Sequence, residues 1–259
     1  MNIEKPYYKA IILIIASTDN QYYINARNIW KKYMYTEPTI KVIFVYEKLH
    51  TPLLDYCEDD DLIFEHIEYR FPLSAEKSIE AMKIIEQKYN YDFLIRTNIS
   101  TFWDFHKLKT NLDSLPKEKC YAGYPLSVKQ NNNIDDFDYY PCDINYVSGT
   151  DIVLSSDLVN MLINPNQLQY YMYHDVCIGY FLNTQNNIPI ISLKWVWLDS
   201  PNSPFLYYCK DIYQLEDIPK IYNDPKVDHY RVKYTYDREV NDFNTSKLLL
   251  KTIYNIDYA

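Results

Sequence analysis

The chain has 259 residues, which is enough for one large α/β domain or two small ones. Its 26 lysines and arginines are outnumbered by 35 aspartates and glutamates. The net charge of −9 excludes a non-specific DNA or RNA coat, because such a protein needs a basic surface to neutralise phosphates. Only 3 glycines are present, so a Rossmann fingerprint and a P-loop, which both need clustered glycines, are excluded as well.

In the first half of the chain, short β-rich segments alternate with helical ones. Strands are predicted at Ala10–Ala16, Ile40–Tyr46, Leu62–Ile67 and Tyr91–Arg96, and helices at Tyr22–Tyr35 and from Ser74 to about Tyr89. This alternation predicts an α/β fold with a mainly parallel central sheet flanked by helices. The sequence contains no repeat and no linker-like segment, so we expect a single domain over residues 1–259.

The second half is less regular. An element is predicted at Val147–Leu154, helices near Ser156–Ile163 and His174–Leu182, and a strand at Ile188–Trp197. Lys129–Tyr140 is rich in Asn and Asp and predicts an exposed loop.

Neither the cysteines nor the apolar segments indicate a secreted or membrane protein. The 5 cysteines are far apart and form no C-x-x-C pair, so we expect buried free thiols instead of a zinc site or a disulfide framework. The first apolar run, Ala10–Ala16, is far shorter than the ~20 residues of a membrane-spanning helix. The N-terminus also has no apolar signal region, and we therefore expect a cytoplasmic protein without a membrane span.

The loops that follow the parallel strands are where we expect the chemistry, because ligands bind beyond the carboxyl ends of such strands. These loops contain Ser17-Thr18-Asp19, Glu47-Lys48 and Thr97-Asn98-Ile99-Ser100. The candidate ligand contacts among them are Ser17, Thr18, Thr97, Asn98 and Ser100.

Five segments resemble, in chain order, the motifs of the beta-1,3-galactosyltransferase and Fringe-like glycosyltransferases. Arg27-Asn28-Ile29-Trp30 is similar to Arg-x-Thr-Trp, and Ile40–Tyr46 matches the second strand. Tyr69–Lys77 resembles Tyr-x-Asn-Leu-Thr-x-Lys, although it is one residue longer and lacks the Asn. Tyr146–Ser155 is close to Tyr-x-Ser-Gly-x-x-Tyr-x-x-Ser, and His174–Gly179 lines up with Glu-Asp-Val-x-x-Gly.

The resemblance implies a GT-A-type, Rossmann-like sandwich that uses a nucleotide-sugar donor, usually a UDP-sugar. The implied reaction is inverting transfer of a hexosyl group, of galactosyl or N-acetylglucosaminyl type, to an acceptor glycan or glycoprotein. Arg27, Lys77, Ser148 and Gly149 become candidate donor contacts by the same resemblance. Gly149 and Gly179 fall inside matched motifs of a glycine-poor chain, so we expect these positions to need a missing Cβ or a positive φ.

The sequence departs from the motifs of this family at the residues that hold the metal ion. The family carries three consecutive aspartates after its fourth strand, and their carboxylates hold Mn²⁺ or Mg²⁺ on the donor diphosphate. Here the D-x-D is replaced by Asn98-x-Ser100. Two neutral oxygens are poor replacements, because hard divalent ions favour carboxylates.

Three alternatives stay open at this point. In the first, the enzyme is metal-independent and Arg96, Arg231 or Lys233 face the phosphates. In the second, Asn98, His229 and the donor hold a metal weakly. In the third, the protein is inactive. His229 falls where many GT-A enzymes bring a late histidine to the metal or the diphosphate, although the surrounding residues also fit a polar edge strand.

Asp175 is the candidate general base. Inverting transfer needs a carboxylate that removes the proton of the acceptor hydroxyl, and the resemblance places that residue here. The alternative is a plain helix N-cap, a position that Asp favours. His174 replaces the family's Glu and is either a substrate contact or a surface residue. An HD-type metal phosphohydrolase is excluded, because the 5 histidines are too scattered.

Other acidic and aromatic residues have simpler explanations. Glu58–Asp61 contains a D-x-D but precedes a strand, and Asp136–Asp138 lies in the polar loop. Trp103, Trp195 and Trp197 could stack on sugar faces, although tryptophan is more often a core residue.

The sequence thus favours an active glycosyltransferase. The alternative is a glycan- or nucleotide-sugar-binding module that kept the fold and lost catalysis, which the missing D-x-D supports and the retained Asp175 opposes. An acidic structural protein is a weaker third hypothesis.

Overall fold

The computed structural model describes residues 4–17, 20–47, 61–64, 74–131, 140–164, 173–199 and 212–258. The chain forms two compact units. Unit 1 consists of Met1–Ile15, Thr39–Thr97 and Leu115–Leu193, and unit 2 consists of Ala16–Pro38, Asn98–Ser114 and Lys194–Ala259. The single domain over residues 1–259 stays a prediction.

Strands and helices are distributed along the whole described part of the chain. The strands are β1 (Tyr7–Ile15), β2 (Ile40–Glu47), β3 (Asp61–Phe64), β4 (Asn90–Asn98), β5 (Thr101–Trp103), β6 (Tyr121–Gly123), β7 (Pro125–Val128), β8 (Ile144–Val147), β9 (Ile152–Ser155), β10 (Ile190–Ser192), β11 (Val196–Leu198), β12 (Ile212–Tyr213) and β13 (His229–Val232). The α-helices are α1 (Gln21–Tyr33), α2 (Ser74–Lys88), α3 (Phe105–Leu112), α4 (Ser156–Leu162), α5 (His174–Gly179), α6 (Ile218–Tyr222) and α7 (Arg238–Tyr254).

Unit 1 is built on a seven-stranded sheet in the order β10-β6-β9-β4-β1-β2-β3. The pairs β1–β2, β2–β3 and β10–β6 are parallel, whereas β9 is antiparallel to both β4 and β6. Residues 10–14 of β1 are completely buried, as expected for a strand covered on both faces. The predicted α/β fold with a mainly parallel central sheet is confirmed.

Helices position the segment that carries Asp175 in unit 1. The buried side chains of Ile79, Met82 and Ile85 recur every three residues on α2, which packs against β1 and β2. Helix α2 also contacts α4 and α5. Strands β7 and β8 form a separate antiparallel pair, and β8 packs against α5. Helix α5 is therefore fixed by α2 and β8.

Unit 2 has a four-stranded sheet in the order β12-β11-β13-β5 and a core of aromatic rings. Helix α1 packs against α7. The ring of Tyr33 stacks on Phe102 at 4.5 Å and on Tyr254 at 4.9 Å between centroids. The Tyr254 hydroxyl accepts a hydrogen bond from the Phe105 N–H at 2.9 Å and donates to the Trp103 carbonyl at 2.7 Å. This hydroxyl ties the end of α7 to β5 and α3.

Two predicted elements differ from the structure. The single strand predicted at Ile188–Trp197 is wrong, because β10 belongs to the sheet of unit 1 and β11 to the sheet of unit 2. The backbone N–H of Leu193 donates to the Gly123 carbonyl at 2.9 Å just after β10, where the chain leaves the first sheet. The element predicted at Val147–Leu154 contains the end of β8, a turn at Gly149 and the start of β9.

Several predicted boundaries reach beyond the described residues. Strand β3 begins at Asp61, directly after the acidic run, while residues 65–67 lie outside the described part. Within the predicted loop, Asn131 and Tyr140 form an antiparallel bridge, and residues 132–139, which include the second acidic motif, are not described. Cys120, Cys142 and Cys177 are free thiols, and the other two cysteines also lie outside the described residues. Among the helices that the structure describes, all are too short or too polar to cross a membrane.

Candidate active site

Gly149 lies in the turn between β8 and β9, and its backbone is hydrogen-bonded on both sides. Its carbonyl oxygen accepts a bond from Nη1 of Arg96, and its N–H donates to Oδ2 of Asp175 at 3.0 Å. A Cβ at this position would lie 2.6 Å from Nε2 of His174 and 2.9 Å from Nη1 of Arg96. The structure therefore brings four predicted site residues together, and a Cβ at residue 149 would meet the ends of two of their side chains.

Asp175 is the second residue of α5. The helix begins at His174 with Tyr173 as its N-cap, so the alternative in which Asp175 is the N-cap is wrong. Its Oδ1 accepts a hydrogen bond from the Val176 N–H at 3.1 Å. Burial raises the pKa of the Asp175 carboxyl, and the Arg96 guanidinium and the N–H donors act against that shift. A carboxylate with a raised pKa, held in place by two N–H groups, is suited to accept a proton.

Two cations are buried in the same region of unit 1. Arg96 is 1% exposed and Lys77 is 2% exposed. Burial, together with the positive charges of Arg96 and Lys77, lowers the pKa of His174 well below its usual value. His174 is therefore an uncharged imidazole at neutral pH, and it is half-buried, which contradicts an ordinary surface position.

Hydroxyl groups around the same turn bond to one another. Thr97 Oγ1 donates to the Thr150 carbonyl at 2.5 Å, and the hydroxyls of Ser148 and Thr150 lie 2.9 Å apart. Thr150 Oγ1 also donates to Oδ1 of Asp151 at 3.1 Å, while Oδ2 accepts from the Tyr124 N–H at 2.7 Å. Thr97 and Ser148 thus fix the conformation of the turn, and their role as donor contacts stays a prediction.

The other two glycines pack against the same segment. A Cβ on Gly123, whose φ is +145°, would lie 2.3 Å from Cγ1 of Val147 and 2.4 Å from the Asp151 carbonyl oxygen. A Cβ on Gly179 would lie 2.3 Å from Cβ of Tyr146. The expectation of a missing Cβ is confirmed for Gly179, whereas at Gly149 the nearest atoms are the ends of the His174 and Arg96 side chains.

The remaining predicted donor contacts belong to unit 2. Arg27 is a buried residue of α1, Ser17 is half-buried before that helix, and Thr18 lies outside the described residues. Asn98 is the last residue of β4, and the Ser100 carbonyl accepts a hydrogen bond from the Val232 N–H at 2.9 Å. Contacts of these residues with a donor stay predictions.

Arg231 and Lys233 lie near a cation that sequence reasoning missed. Burial and the charges of Arg231 and Arg238 lower the pKa of Lys233 to about 8. Arg238 pairs with Asp242 at 2.9 Å, and its guanidinium lies 4.0 Å over the ring of Tyr22. The four-residue spacing of Arg238 and Asp242 is typical of a helix and was the available signal.

The residues of the predicted metal site do not fit a divalent ion. His229 is completely buried, stacked on Trp103 at 4.5 Å, and its Nδ1 lies 2.7 Å from Oδ1 of Asp228. It pairs with Trp103 at the opposite end of the β13–β5 ladder from Ser100, about 10 Å along the strand. Within the described residues, no group of three or more His, Cys, Asp or Glu side chains could hold a metal. Asn98 and Ser100 contribute neutral oxygens only.

Comparison with known proteins gives weak likenesses. No protein-family model and no curated protein sequence matches the chain at a significant level. Among solved structures, it is similar to a glycosyltransferase involved in the glycosylation of the major capsid of PBCV-1, with 9% identity, a TM-score of 0.48, and coverage of 91% of this chain and 98% of that chain. It is also similar to A197 from STIV, with 11% identity, a TM-score of 0.38, and coverage of 72% of this chain and 82% of that chain. At these identities and TM-scores, neither likeness assigns a function to this chain.

Proposed function

We propose that the protein is a glycosyltransferase with a GT-A-type fold that moves a hexosyl group from a UDP-sugar to a hydroxyl of an acceptor glycan, with inversion. The observation that carries this proposal is the Asp175 carboxylate, which the Gly149 N–H holds at 3.0 Å. Both residues lie in segments that resemble the glycosyltransferase motifs. The steric need for glycine at residue 179 supports the same alignment.

The proposed reaction is a single displacement in which Asp175 accepts the proton of the acceptor hydroxyl. The acceptor oxygen forms a bond to the anomeric carbon as the bond between that carbon and the phosphate oxygen breaks. The electron pair leaves with the nucleoside diphosphate, and attack from the opposite side inverts the configuration. A buried carboxylate with a raised pKa is a stronger base than an exposed one, which suits the weakly acidic sugar hydroxyl.

The departing diphosphate gains negative charge, which positively charged side chains stabilise. The metal-independent form of this proposal assigns that charge to side-chain cations, and the contacts of Arg231 and Lys233 with a donor stay predictions. Two observations support this form of the proposal. The D-x-D that would hold a metal is replaced by Asn98-x-Ser100, and Arg231 and Lys233 lie on one short segment of unit 2. The galactosyl-like or N-acetylglucosaminyl-like identity of the sugar is part of the proposal and rests on the resemblance alone.

The experiment is a donor screen with a matched pair of variants. Purified full-length protein is incubated with a panel of UDP- and GDP-sugars and simple acceptor glycosides, and release of the nucleoside diphosphate is measured. Asp175→Asn removes the basicity and keeps an oxygen for the Gly149 N–H, so turnover is expected to fall by roughly 10²–10⁴-fold. Asp143→Asn, at an exposed carboxylate of the same unit, is the control and is expected to keep wild-type turnover.

Each outcome decides between the hypotheses. Wild-type turnover in Asp175→Asn would show that this carboxylate is not the base. Binding of a UDP-sugar by the wild type with no turnover on any acceptor would favour the inactive binding module, which the loss of the D-x-D supports. A chain that neither binds nor turns over any nucleotide sugar would contradict the proposed function as a whole.

A further inference from the structure

Arg96 is placed by the sheet and is linked to the Asp175 carboxylate through the backbone of one residue, Gly149. Its backbone pairs with Ile152 in the β4–β9 ladder, three residues after Gly149. The buried guanidinium donates from Nη1 to the Gly149 carbonyl, and the N–H of the same residue donates to Asp175. The position of the carboxylate therefore depends on the backbone of Gly149, whose carbonyl oxygen accepts a hydrogen bond from Arg96.

Several titratable groups face the carboxylate of Asp175. Arg96 comes from β4, Tyr121 from β6 and Tyr146 from β8. His174, on the same helix, is uncharged, and the positive charge of Lys77 on α2 acts on that imidazole. Burial and, to a smaller extent, the negative charge of Asp175 raise the pKa values of both tyrosines, so they stay protonated. Arg96 is thus the cation among these groups that favours the ionised carboxylate.

We propose that Arg96 is a positioning residue that sets both the location and the protonation of the Asp175 base through the backbone of Gly149. This inference rests on the proposed function, because it assumes that Asp175 accepts a proton. It also replaces the expectation that the Arg96 guanidinium faces the donor phosphates, since that group is 1% exposed and bound to a carbonyl.

The inference predicts different results for a substitution of Arg96 that removes its charge and for one that keeps the charge and changes the geometry. Arg96→Gln removes the charge, so burial dominates and the pKa of Asp175 rises further. The acid limb of the kcat–pH profile then moves to higher pH, because the base must be ionised to act. Arg96→Lys keeps the charge but lacks the planar fork, so the acid limb stays in place while kcat falls by roughly 10–10²-fold from misplacement of the base.

The donor KM of the Arg96 variants distinguishes a positioning role of Arg96 from a direct contact with the donor. If Arg96 acts through Gly149, kcat and its pH dependence change while the donor KM stays within about twofold of wild type. A phosphate contact would instead raise the donor KM in both variants. Lys129→Gln, at an exposed lysine of unit 1, is the control and is expected to change neither quantity.

The test combines steady-state kinetics from pH 5 to 9 with NMR titration of ¹³C-labelled aspartate carboxyls in the full chain. A pKa of Asp175 that rises in Arg96→Gln and returns in Arg96→Lys supports the inference. An unchanged titration in Arg96→Gln, or a raised donor KM at constant kcat, would overturn it. If Arg96→Gln does not fold, Arg96→Lys decides by the split between kcat and KM. A wild type without transferase activity but with the Arg96-dependent titration would count against the proposed function alone.

Discussion

A Cβ on Gly179 would stand 2.3 Å from the Cβ of Tyr146 and 2.7 Å from its Cα. Real side chains do not approach a backbone this closely, so α5 packs on β8 only because residue 179 has no side chain. Gly123 approaches Val147 and the Asp151 carbonyl in the same way, and Gly149 lies in the turn between those residues. All 3 glycines of the chain therefore allow close packing around residues 145–151, the segment that holds Asp175 in place.

These contacts predict an order of stability for three alanine variants. Gly123→Ala and Gly179→Ala meet backbone atoms or a Cβ within 2.4 Å, and Gly123→Ala also has a φ of +145°, so each is expected to lose about 3 kcal/mol or more of unfolding free energy. Gly149→Ala meets the ends of two side chains and is expected to lose about 1 kcal/mol, with a larger loss of turnover. Urea unfolding and the transfer assay measure the two quantities.

Glu118→Ala, at an exposed position of the same unit, is the control for this series and is expected to change stability by less than about 0.5 kcal/mol. Losses below about 1 kcal/mol in Gly123→Ala and Gly179→Ala would mean that the packing around residues 145–151 is looser than the structure shows.

The second prediction concerns metal removal. Asn98 and Ser100 offer neutral oxygens, and His229 is stacked on Trp103 at the far end of its ladder from Ser100. In line with the proposed metal-independent reaction, we expect a sizeable fraction of turnover to persist in EDTA. A manganese-dependent glycosyltransferase assayed in the same EDTA shows whether the metal has been removed. Complete loss of activity that Mn²⁺ restores would contradict the metal-independent reaction.

Local patterns explain why some elements were predictable. Strands β1 and β2 are continuous apolar runs, and α2 has buried residues at helical spacing, so their type followed from composition and period. Helix α7 was missed because its start carries no such signal. Its N-cap, Asp237, is in a left-handed conformation with φ 48° and makes no side-chain cap. Helix α3 did have a signal, since Asp104 caps it by accepting from the His106 and Lys107 N–H groups at 3.1 Å.

The site was predictable in its residue types and not in its connections. Gly149, His174 and Asp175 were found because two motifs, Tyr146–Ser155 and His174–Gly179, follow one another in order along the chain. The bond between Arg96 and Gly149 joins residues 53 positions apart and depends on the antiparallel register of β4 and β9. No local pattern encodes such a register, so the contact between Arg96 and the turn was not predictable from the sequence.

The last prediction concerns the pH dependence of stability through His174. Burial and the charges of Arg96 and Lys77 lower the pKa of His174 well below 6.5, whereas the unfolded chain protonates this imidazole near 6.5. Below that pH the unfolded state binds one proton more than the folded state, so stability is lost as the pH falls from about 6.5. The slope approaches about 1.4 kcal/mol per pH unit for one proton.

His174→Gln removes this titration and keeps a polar side chain of similar reach. The difference in unfolding free energy between wild type and His174→Gln is therefore expected to change with pH below 6.5, in favour of the variant, and to be constant above pH 7.5. His106→Gln is the control, since that exposed histidine lies on α3 in unit 2. Urea unfolding at half-unit intervals between pH 5 and 8 measures both differences. A pH-independent difference for His174→Gln would mean that the imidazole is protonated equally in the folded and unfolded states, and that the two buried cations do not act on it.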